Sequence, residues 1–202
     1  MPSTHERDAL LIAEFVATFA MLGDMTADET LDPIAWQFAF GEPDQYGRKR
    51  WRPLPSVSDP SCLASLNVKI PTRFPRLYER LLLTYRWAEV DLQVFRLLAN
   101  PLGSDLSGHF AEISKDRFMW DILVKSGFLR FGKGPDVDYD PICFDFRSRN
   151  RTGDFPVVKI DHEEVLCNSS IKIVKRLADG FEDLVRQIIA RADRVSGGRR
   201  LA

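Results

Sequence analysis

The segment 127–164 constrains the fold of this chain most, because short apolar runs alternate there with clusters of turn-forming residues. The runs 128–131, 142–146 and 155–160 are each typical of a short strand. The loop 132–141 contains two Gly, two Pro and three Asp. Proline lacks the amide donor of a strand ladder and glycine weakens a strand, so this loop does not belong to a central strand. The segment therefore predicts consecutive strands of an antiparallel sheet.

Helical patterns flank this segment on both sides. A stripe of apolar residues runs over 77–85 after Pro75, and a second helix is predicted from Asp105 to Val124, ending at Gly127. Between them, residues 87–94 alternate between apolar and polar side chains, which predicts a strand with one buried face. A last helix is predicted from 179 onward. The fold class expected is α+β: a single domain with a central antiparallel sheet flanked by helices.

The N-terminal region has its own organisation. The apolar run 10–22 is interrupted by Glu14 and lacks a basic leader, so we interpret it as an amphipathic helix that ends at Gly23 and not as a signal peptide. Ser3 and Glu6 have the spacing of a capping box. Alternating aromatic residues over 34–40, turn residues and a basic run at 48–52 predict a hairpin, which a Pro- and Ser-rich connector follows.

Composition narrows the functional classes. The chain has 202 residues, 45% of them hydrophobic and 28% charged, with a formal net charge of −1, which is ordinary for a soluble globular domain. This balance gives no reason to expect nucleic acid or a membrane as the main partner. The basic run at 48–52 with Tyr46 and Trp51 is the one candidate nucleic-acid surface, but a solvated hairpin tip explains the same residues, and we interpret the run in that way. The cysteines Cys62, Cys143 and Cys167 are odd in number and widely spaced, which favours a reducing cytoplasm.

One acidic cluster, in the segment 136–145, is a candidate metal site. Its carboxylates begin like a calcium-binding loop, but the twelfth position, where a bidentate Glu is required, is Arg147. We therefore expect no metal and no cofactor, and interpret the carboxylates as caps of turns in a solvated loop. The cluster comprises Asp136, Asp138, Asp140 and Asp145.

Two further groups are candidates for a catalytic role. His162 lies between Asp161 and Glu163, but neighbours on a strand point to opposite faces, so they are not expected to meet. Cys143 lies between apolar strand residues, where a buried and inert thiol is usual. The lone His109 has no second ligand at metal spacing. No catalytic residue is therefore predicted.

The order of these motifs resembles the SUKH superfamily, named after a fungal cell-wall-synthesis regulator and a set of bacterial immunity proteins. The resemblance covers about residues 74–189. It is carried by the strand motif at 127–132, the acidic loop, Cys143-Phe144-Asp145, the turn and strand at 153–158, and Asp161-His162-Glu163. It implies an α+β fold without established catalytic residues. It also implies that bacterial members bind and neutralise toxins.

The resemblance sets the domain and function expectations. Residues 71–195 form the SUKH-like domain, residues 1–70 an unmatched extension packed on it, and residues 196–202 a frayed tail. We expect a non-enzymatic protein-binding module, an immunity protein whose partner is a cognate toxin; the alternatives are a regulatory scaffold and a small metal-dependent hydrolase. The acidic side chains of the loop 135–140 would complement the charge of a basic toxin. The residues predicted to bind the partner are Trp87, Asp136, Asp138, Tyr139 and Asp140.

Overall fold

Helices and short strands are interspersed along residues 3–199, the part of the chain that the computed structural model describes. The helices are α1 (Thr4–Ala17), α2 (Phe19–Leu22), α3 (Pro33–Trp36), α4 (Ser61–Asn67), α5 (Arg76–Thr84), α6 (Ser107–Ile113), α7 (Arg117–Lys125), α8 (His162–Asn168) and α9 (Phe181–Arg199). The strands are β1 (Thr26–Ala27), β2 (Ala39–Phe40), β3 (Lys49–Trp51), β4 (Leu54–Pro55), β5 (Tyr85–Arg86), β6 (Val90–Asp91), β7 (Arg96–Leu97), β8 (Phe128–Lys133), β9 (Pro141–Asp145), β10 (Val157–Ile160) and β11 (Ile173–Ala178).

The central element within these residues is a six-stranded sheet whose spatial order, β11-β10-β9-β8-β7-β6, follows the order of the chain. Every neighbouring pair is antiparallel, so the sheet is a meander. Strands β8, β9 and β10 are those predicted from the segment 127–164. Two small sheets, β1-β3-β2 and β4-β5, accompany it. The prediction of a single α+β domain with a central antiparallel sheet and flanking helices is confirmed.

Side chains of the sheet alternate between two apolar layers. Leu129 and Phe131 of β8 belong to the larger core, together with α1, α5 and α9, whereas Phe128 belongs to a smaller core under α7 and α8. On β9, Phe144 faces the larger core and Cys143 the smaller one. This period of two is that of a strand covered on both faces. The sheet therefore lies between two groups of helices.

Aromatic rings fill the centre of the larger core. The rings of Phe131 and Phe144, on adjacent strands, stack with centroids 4.1 Å apart. Tyr78 of α5 and Phe181 of α9 meet edge to face at 5.0 Å, and Phe15 of α1 meets Phe181 at 6.2 Å. Such pairs contribute about 0.5–1.5 kcal/mol each beyond the area they bury. The rings thus connect three helices to the middle of the sheet.

The N-terminal helix is part of this domain. Its predicted capping box forms, with the Glu6 amide donating to Ser3 Oγ at 3.2 Å and the Ser3 amide donating to the Glu6 carboxylate. Asp8, which is buried, forms ion pairs with Arg76 and Arg80 of α5. A buried carboxylate needs such partners, so these pairs fix α1 against α5. Within residues 3–199 no helix is long and apolar enough to span a membrane.

Two predicted elements are interrupted. The strand predicted over 87–94 ends early, after β6, because the chain reverses at Gln93, whose φ is 64° and whose amide donates to Asp91 Oδ1 at 2.7 Å. Strand β7, which pairs with β6, lies beyond the predicted strand. The helix predicted from Asp105 is divided into α6 and α7. Asp116 starts the second one by accepting the amide of Met119 at 2.9 Å. In both places an aspartate side chain bonds to nearby backbone and interrupts the regular element.

Other boundaries also differ from the predicted ones. The hairpin over 34–52 is present as β2 and β3, but its first strand is short because Asp32 and Pro33 start the helical turn α3. The triplet beginning at Asp161 is not a strand: Asp161 accepts the amides of Glu163 and Glu164 and caps α8. Residues 196–199 of the predicted tail extend α9. Residues 200–202 lie outside the described residues.

A buried arginine holds the loops at one end of the domain together. Arg86 is 1% exposed. Its Nη1 donates to Asn100 Oδ1 at 2.7 Å, its Nη2 donates to the Asp105 carbonyl at 2.6 Å, and the Ser58 hydroxyl also accepts from Nη2. Further carbonyl acceptors come from Pro101 and Gly103. These oxygen atoms satisfy both terminal nitrogens of the guanidinium, whereas its buried Nε has no hydrogen-bond partner in the described part of the chain.

His109 of α6 is buried between the sheet and α5. Its Nδ1 lies 2.8 Å from the Ala99 carbonyl and its Nε2 lies 3.1 Å from the Tyr78 hydroxyl. With Nδ1 as the donor, the neutral ring satisfies both contacts. Burial lowers the pKa of His109 from 6.5 to about 4, and the bond to Ala99 opposes this shift only in part.

This burial has a consequence for stability. Between pH 7 and pH 4 the unfolded chain takes up a proton at this residue before the folded chain does, so folding stability falls as the pH falls. We expect the free energy of unfolding of the wild type to drop by up to about 3 kcal/mol more than that of His109→Gln over this range. Urea unfolding of both proteins at several pH values measures this difference. Parallel pH profiles would contradict the burial of a neutral imidazole.

Candidate functional site

The acidic loop, defined as residues 134–140, connects β8 to β9, the two central strands of the sheet. It is closed at its base, where the Gly134 amide donates to the Asp140 carbonyl at 2.8 Å. A Cβ atom at Gly134 would lie 2.1 Å from Cγ of Asp138, so the closed loop has no room for a side chain there. The loop is therefore packed against itself at its base.

Ion pairs attach the acidic loop to the next strand and helix. Lys159 of β10 pairs with Asp138, and its Nζ lies 3.1 Å from Oδ2 of Asp140. Asp140 Oδ1 accepts the backbone amide of His162 at 2.9 Å and lies 2.8 Å from the Nδ1 of the same residue. Because β10 and the start of α8 both contribute, the loop is anchored to two elements that follow it in the chain.

The pKa values of the anchoring groups reflect these bonds. Burial alone raises the pKa of Asp140, but the hydrogen bonds from His162 and Lys159 outweigh it and hold that pKa below its usual range. Burial lowers the pKa of Lys159, while the bonds to Asp138 and Asp140 raise it above its usual value. The charged forms of both partners are thus favoured in the folded protein.

The outer side of the acidic loop is apolar as well as acidic. Val137 is 83% exposed and Tyr139 is 61% exposed, with the Tyr139 ring 6.3 Å from the ring of His162. Asp136 is also exposed, while its backbone is fixed: its amide donates to Asp91 Oδ2 at 2.8 Å and its carbonyl accepts from Arg96 at 2.7 Å. Three neighbouring side chains therefore face solvent from an anchored backbone.

The structure separates the predicted partner-binding residues into three kinds. Asp136 and Tyr139 are exposed, whereas Asp138 and Asp140 are partly buried in the ion pairs that anchor the loop. Trp87 is fully buried, and its Nε1 donates to the Leu98 carbonyl at 2.9 Å. The inclusion of Trp87 in a binding surface is therefore wrong for this structure, because the indole is a core group whose polar atom is already satisfied.

Cys143 and His162, the candidate nucleophile and base, do not contact each other through a hydrogen bond in the described residues. Cys143 is fully buried in the smaller core, and burial raises the pKa of its thiol. His162 is half-buried at the start of α8, with Nδ1 directed at Asp140. No hydrogen bond within residues 3–199 connects Cys143 to His162. The carboxylate that orients His162 is thus Asp140, from another element, and not either of its neighbours in the chain.

The four carboxylates considered for metal binding are divided between different partners. Asp145 accepts two bonds from Arg147, each at 2.8 Å, away from the anchoring pairs of the acidic loop. In the described part of the chain, no three His, Cys, Asp or Glu side chains are grouped in a way that could hold a metal ion. Asp138 and Asp140 share Lys159, whose ammonium occupies the place where a cation would neutralise them.

The basic hairpin, which carries the basic run 48–52, also has side chains that pair within the chain. Arg48 pairs with Asp44 at 3.0 Å and lies over the ring of Tyr46. Lys49 lies over the ring of Trp36, and Trp51 is 3% exposed in the core. A buried indole is not available to stack on a base. These contacts favour the interpretation of this run as a hairpin surface.

Two residues of the site were missed in the sequence, although one carried a signal. Lys159 lies between Val158 and Ile160 in a predicted strand, and lysine is rarely buried without a partner. That position therefore indicated that Lys159 contacts a carboxylate from another part of the chain. Val137 gave no signal, because a single valine in a polar loop is common on protein surfaces.

Comparisons with known proteins leave the family open. No protein-family model matches this chain, and no curated protein matches its sequence. The resemblance to the SUKH superfamily therefore stays a hypothesis that rests on the motifs of residues 74–189.

The anchoring role of Asp140 can be tested by Asp140→Asn. At pH 7 we expect the variant to lose about 1.5–3 kcal/mol of stability, the usual contribution of hydrogen bonds to charged groups. Because the pKa of Asp140 is lowered in the folded state, its contribution is complete above the ordinary value of about 4 and is lost below it. The difference in melting temperature from the wild type should therefore shrink as the pH falls below about 4.

The matched control is Asp136→Asn in the same loop, whose side chain faces solvent. It should change stability by no more than about 0.5 kcal/mol at either pH. Equal effects of the two substitutions would show that Asp140 is not an anchor.

Proposed function

We propose that this protein is a non-enzymatic binding module that recognises another protein through the outer side of the acidic loop. The observation that carries the proposal is the combination of two exposed apolar side chains, Val137 and Tyr139, with a backbone anchored by Lys159 and His162. A preformed surface loses little conformational freedom on binding, and tyrosine is enriched among the residues that dominate interfaces.

Charge adds a second reason. Lys159 offsets Asp138 and Asp140, so Asp136 is the loop carboxylate left to face a partner. A single exposed charge beside an apolar pair favours a partner with a complementary cation, and such pairs mainly raise the association rate and fix the orientation. This narrows the original expectation, in which all three carboxylates faced the partner.

The partner we propose is a cognate toxin, which the protein would neutralise as an immunity protein. This step rests on the resemblance to the SUKH superfamily and not on the geometry of the loop. A regulatory scaffold is the second candidate, and it would use the same surface. The two are separated by the gene neighbourhood and by whether the protein protects cells, since only an immunity protein neutralises the product of an adjacent toxin gene.

The test is co-expression with the product of an adjacent toxin gene, followed by purification of the complex and a survival assay. We expect a stoichiometric complex and protection of the cells. The double variant Val137→Ala with Tyr139→Ala should weaken binding at least tenfold without lowering the melting temperature, because both side chains are exposed.

The matched control is Val68→Ala with Tyr46→Ala, which removes an equally exposed valine and tyrosine, 88% and 69% exposed, at other surfaces. This variant should bind like the wild type. Equal losses in both double variants would contradict the assignment of the surface. If no neighbouring toxin gives a complex or protection, the immunity function is wrong and the scaffold takes its place.

A further inference from the structure

A cleft of about 470 Å³ opens beside Tyr139, on the side of the sheet that carries α7 and α8. Leu98 and Met119 form part of its wall, and His162 lines it next to the acidic loop. Three cationic side chains and three carboxylates also line it. The charges of the lining therefore balance, and no net negative charge repels an anion. The size is within the range of small-molecule sites.

Arg130 of β8 is the unusual group of this cleft. Its side chain is half-buried, yet its contacts are weak: Nε lies 3.4 Å from the Gly132 carbonyl and Nη1 lies 4.0 Å from the Met119 sulfur. Within the described residues it forms no ion pair with a carboxylate. Burial lowers its pKa, and nearby acidic groups oppose this only in part. A partly desolvated guanidinium without a good oxygen acceptor is costly to keep.

The carboxylates nearest to Arg130 have other partners. Glu89 pairs with Lys133 at 2.9 Å and with Arg96 at 3.3 Å. Asp116 caps α7 by accepting the amide of Met119. Glu112, also on the wall of the cleft, lies beyond ion-pair distance of Arg130. The groups that would neutralise the guanidinium inside the protein are therefore engaged or out of reach.

The buried arginine Arg86 provides an internal comparison. Arg86 has oxygen acceptors on both terminal nitrogens, among them Asn100 at 2.7 Å and the Asp105 carbonyl at 2.6 Å. That pattern is expected of an arginine with a structural role. Among the described residues Arg130 has no oxygen acceptor on either terminal nitrogen, although its side chain is half-buried. The contrast indicates that the partner of Arg130 comes from outside the chain.

The backbone at Arg130 is shaped to present this side chain. The pairing of β8 with β9 shifts register between Arg130 and Gly132. A Cβ atom at Gly132 would lie 2.9 Å from both the Arg96 carbonyl and the Phe95 ring, so close packing fixes the irregularity. Such bulges redirect a side chain and are frequent next to functional sites.

We propose that this cleft binds a small organic carboxylate, with the guanidinium of Arg130 taking the carboxylate group. The planar fork of arginine matches a carboxylate in two parallel hydrogen bonds. The apolar body of the ligand would pack against Leu98, Met119 and Leu166 of the cleft wall. This inference does not depend on the proposed protein partner.

The probe is 3-phenylpropionate, titrated into ¹⁵N-labelled protein and followed by NMR. For a ligand of this size we expect a dissociation constant in the millimolar range. The shifts should concentrate at the amides of Leu98, Tyr139 and His162 and at Nε of Arg130. The neutral analogue 3-phenylpropanamide and inorganic phosphate should both bind at least tenfold more weakly. Equal binding of the amide, or of phosphate, would overturn a carboxylate site.

Substitutions test the role of Arg130 itself. Arg130→Gln should weaken 3-phenylpropionate at least tenfold and leave the melting temperature within about 2 °C, because no strong bond is lost. Arg130→Lys keeps the charge but not the planar fork, and it should also weaken the binding of 3-phenylpropionate. This variant provides the test if Arg130→Gln does not fold. The control Arg117→Gln removes an exposed arginine of α7 outside the cleft and should bind normally. Unchanged binding in both Arg130 variants would overturn the proposal.

Discussion

The stacked rings of Phe131 and Phe144 are the contact on which the rest of the architecture depends. They join the two central strands of the sheet and receive Tyr78 from α5 and Phe181 from α9 on the same face. Because α1 then packs on Phe181 through Phe15, the N-terminal segment is tied to the same centre. Close-packed interiors of this kind transmit a displacement to their neighbours. The position of β8 relative to β9 is therefore fixed from one side by the aromatic core.

The positions of β8 and β9 determine the position of the acidic loop. Since β8 and β9 cannot slide, the two ends of the loop are fixed, and the remaining freedom is removed by the bonds of Asp138 and Asp140 to Lys159 and His162. Two of the carboxylates predicted to contact a partner, Asp138 and Asp140, thus stabilise the conformation of the loop instead. What remains for a partner is the outer side, where Val137 and Tyr139 are exposed.

Arg130 belongs to the same strand but to the opposite layer. The alternation of β8 sends Phe131 into the aromatic core and Arg130 toward the cleft under α7 and α8. Tyr139 lines both the outer side of the loop and this cleft. One strand therefore contributes to two surfaces, the exposed one that we propose for a protein partner and the concave one that we propose for a small carboxylate.

Much of the fold follows from local patterns in the sequence, and the site follows less well. The strands of the segment 127–164 were predictable because turn residues separate apolar runs of period two. The interruptions at Gln93 and Asp116 were not predictable, because each depends on an aspartate side chain bonding to backbone, which competes with regular structure only when the fold allows it.

The site itself depends on contacts between residues far apart in the chain. That Trp87 is buried and Tyr139 exposed is decided by packing, and both residue types occur in cores and at interfaces. The pairing of Asp140 with His162 joins elements 22 positions apart, which no local spacing reveals. Lys159, a half-buried lysine between apolar strand residues, was the position whose sequence context indicated that a partner was needed.

Hydrogen exchange across the proposed complex tests the central claim most directly. The protein would be compared alone and bound to the toxin encoded next to it, by mass spectrometry of peptides that cover the whole chain. We expect the peptide of residues 134–140 to be largely protected already in the free protein, as its anchors require, and to gain further protection on binding. Protection gained only at a distant surface, such as strand β11 or the basic hairpin, with the acidic loop unchanged, would contradict the account.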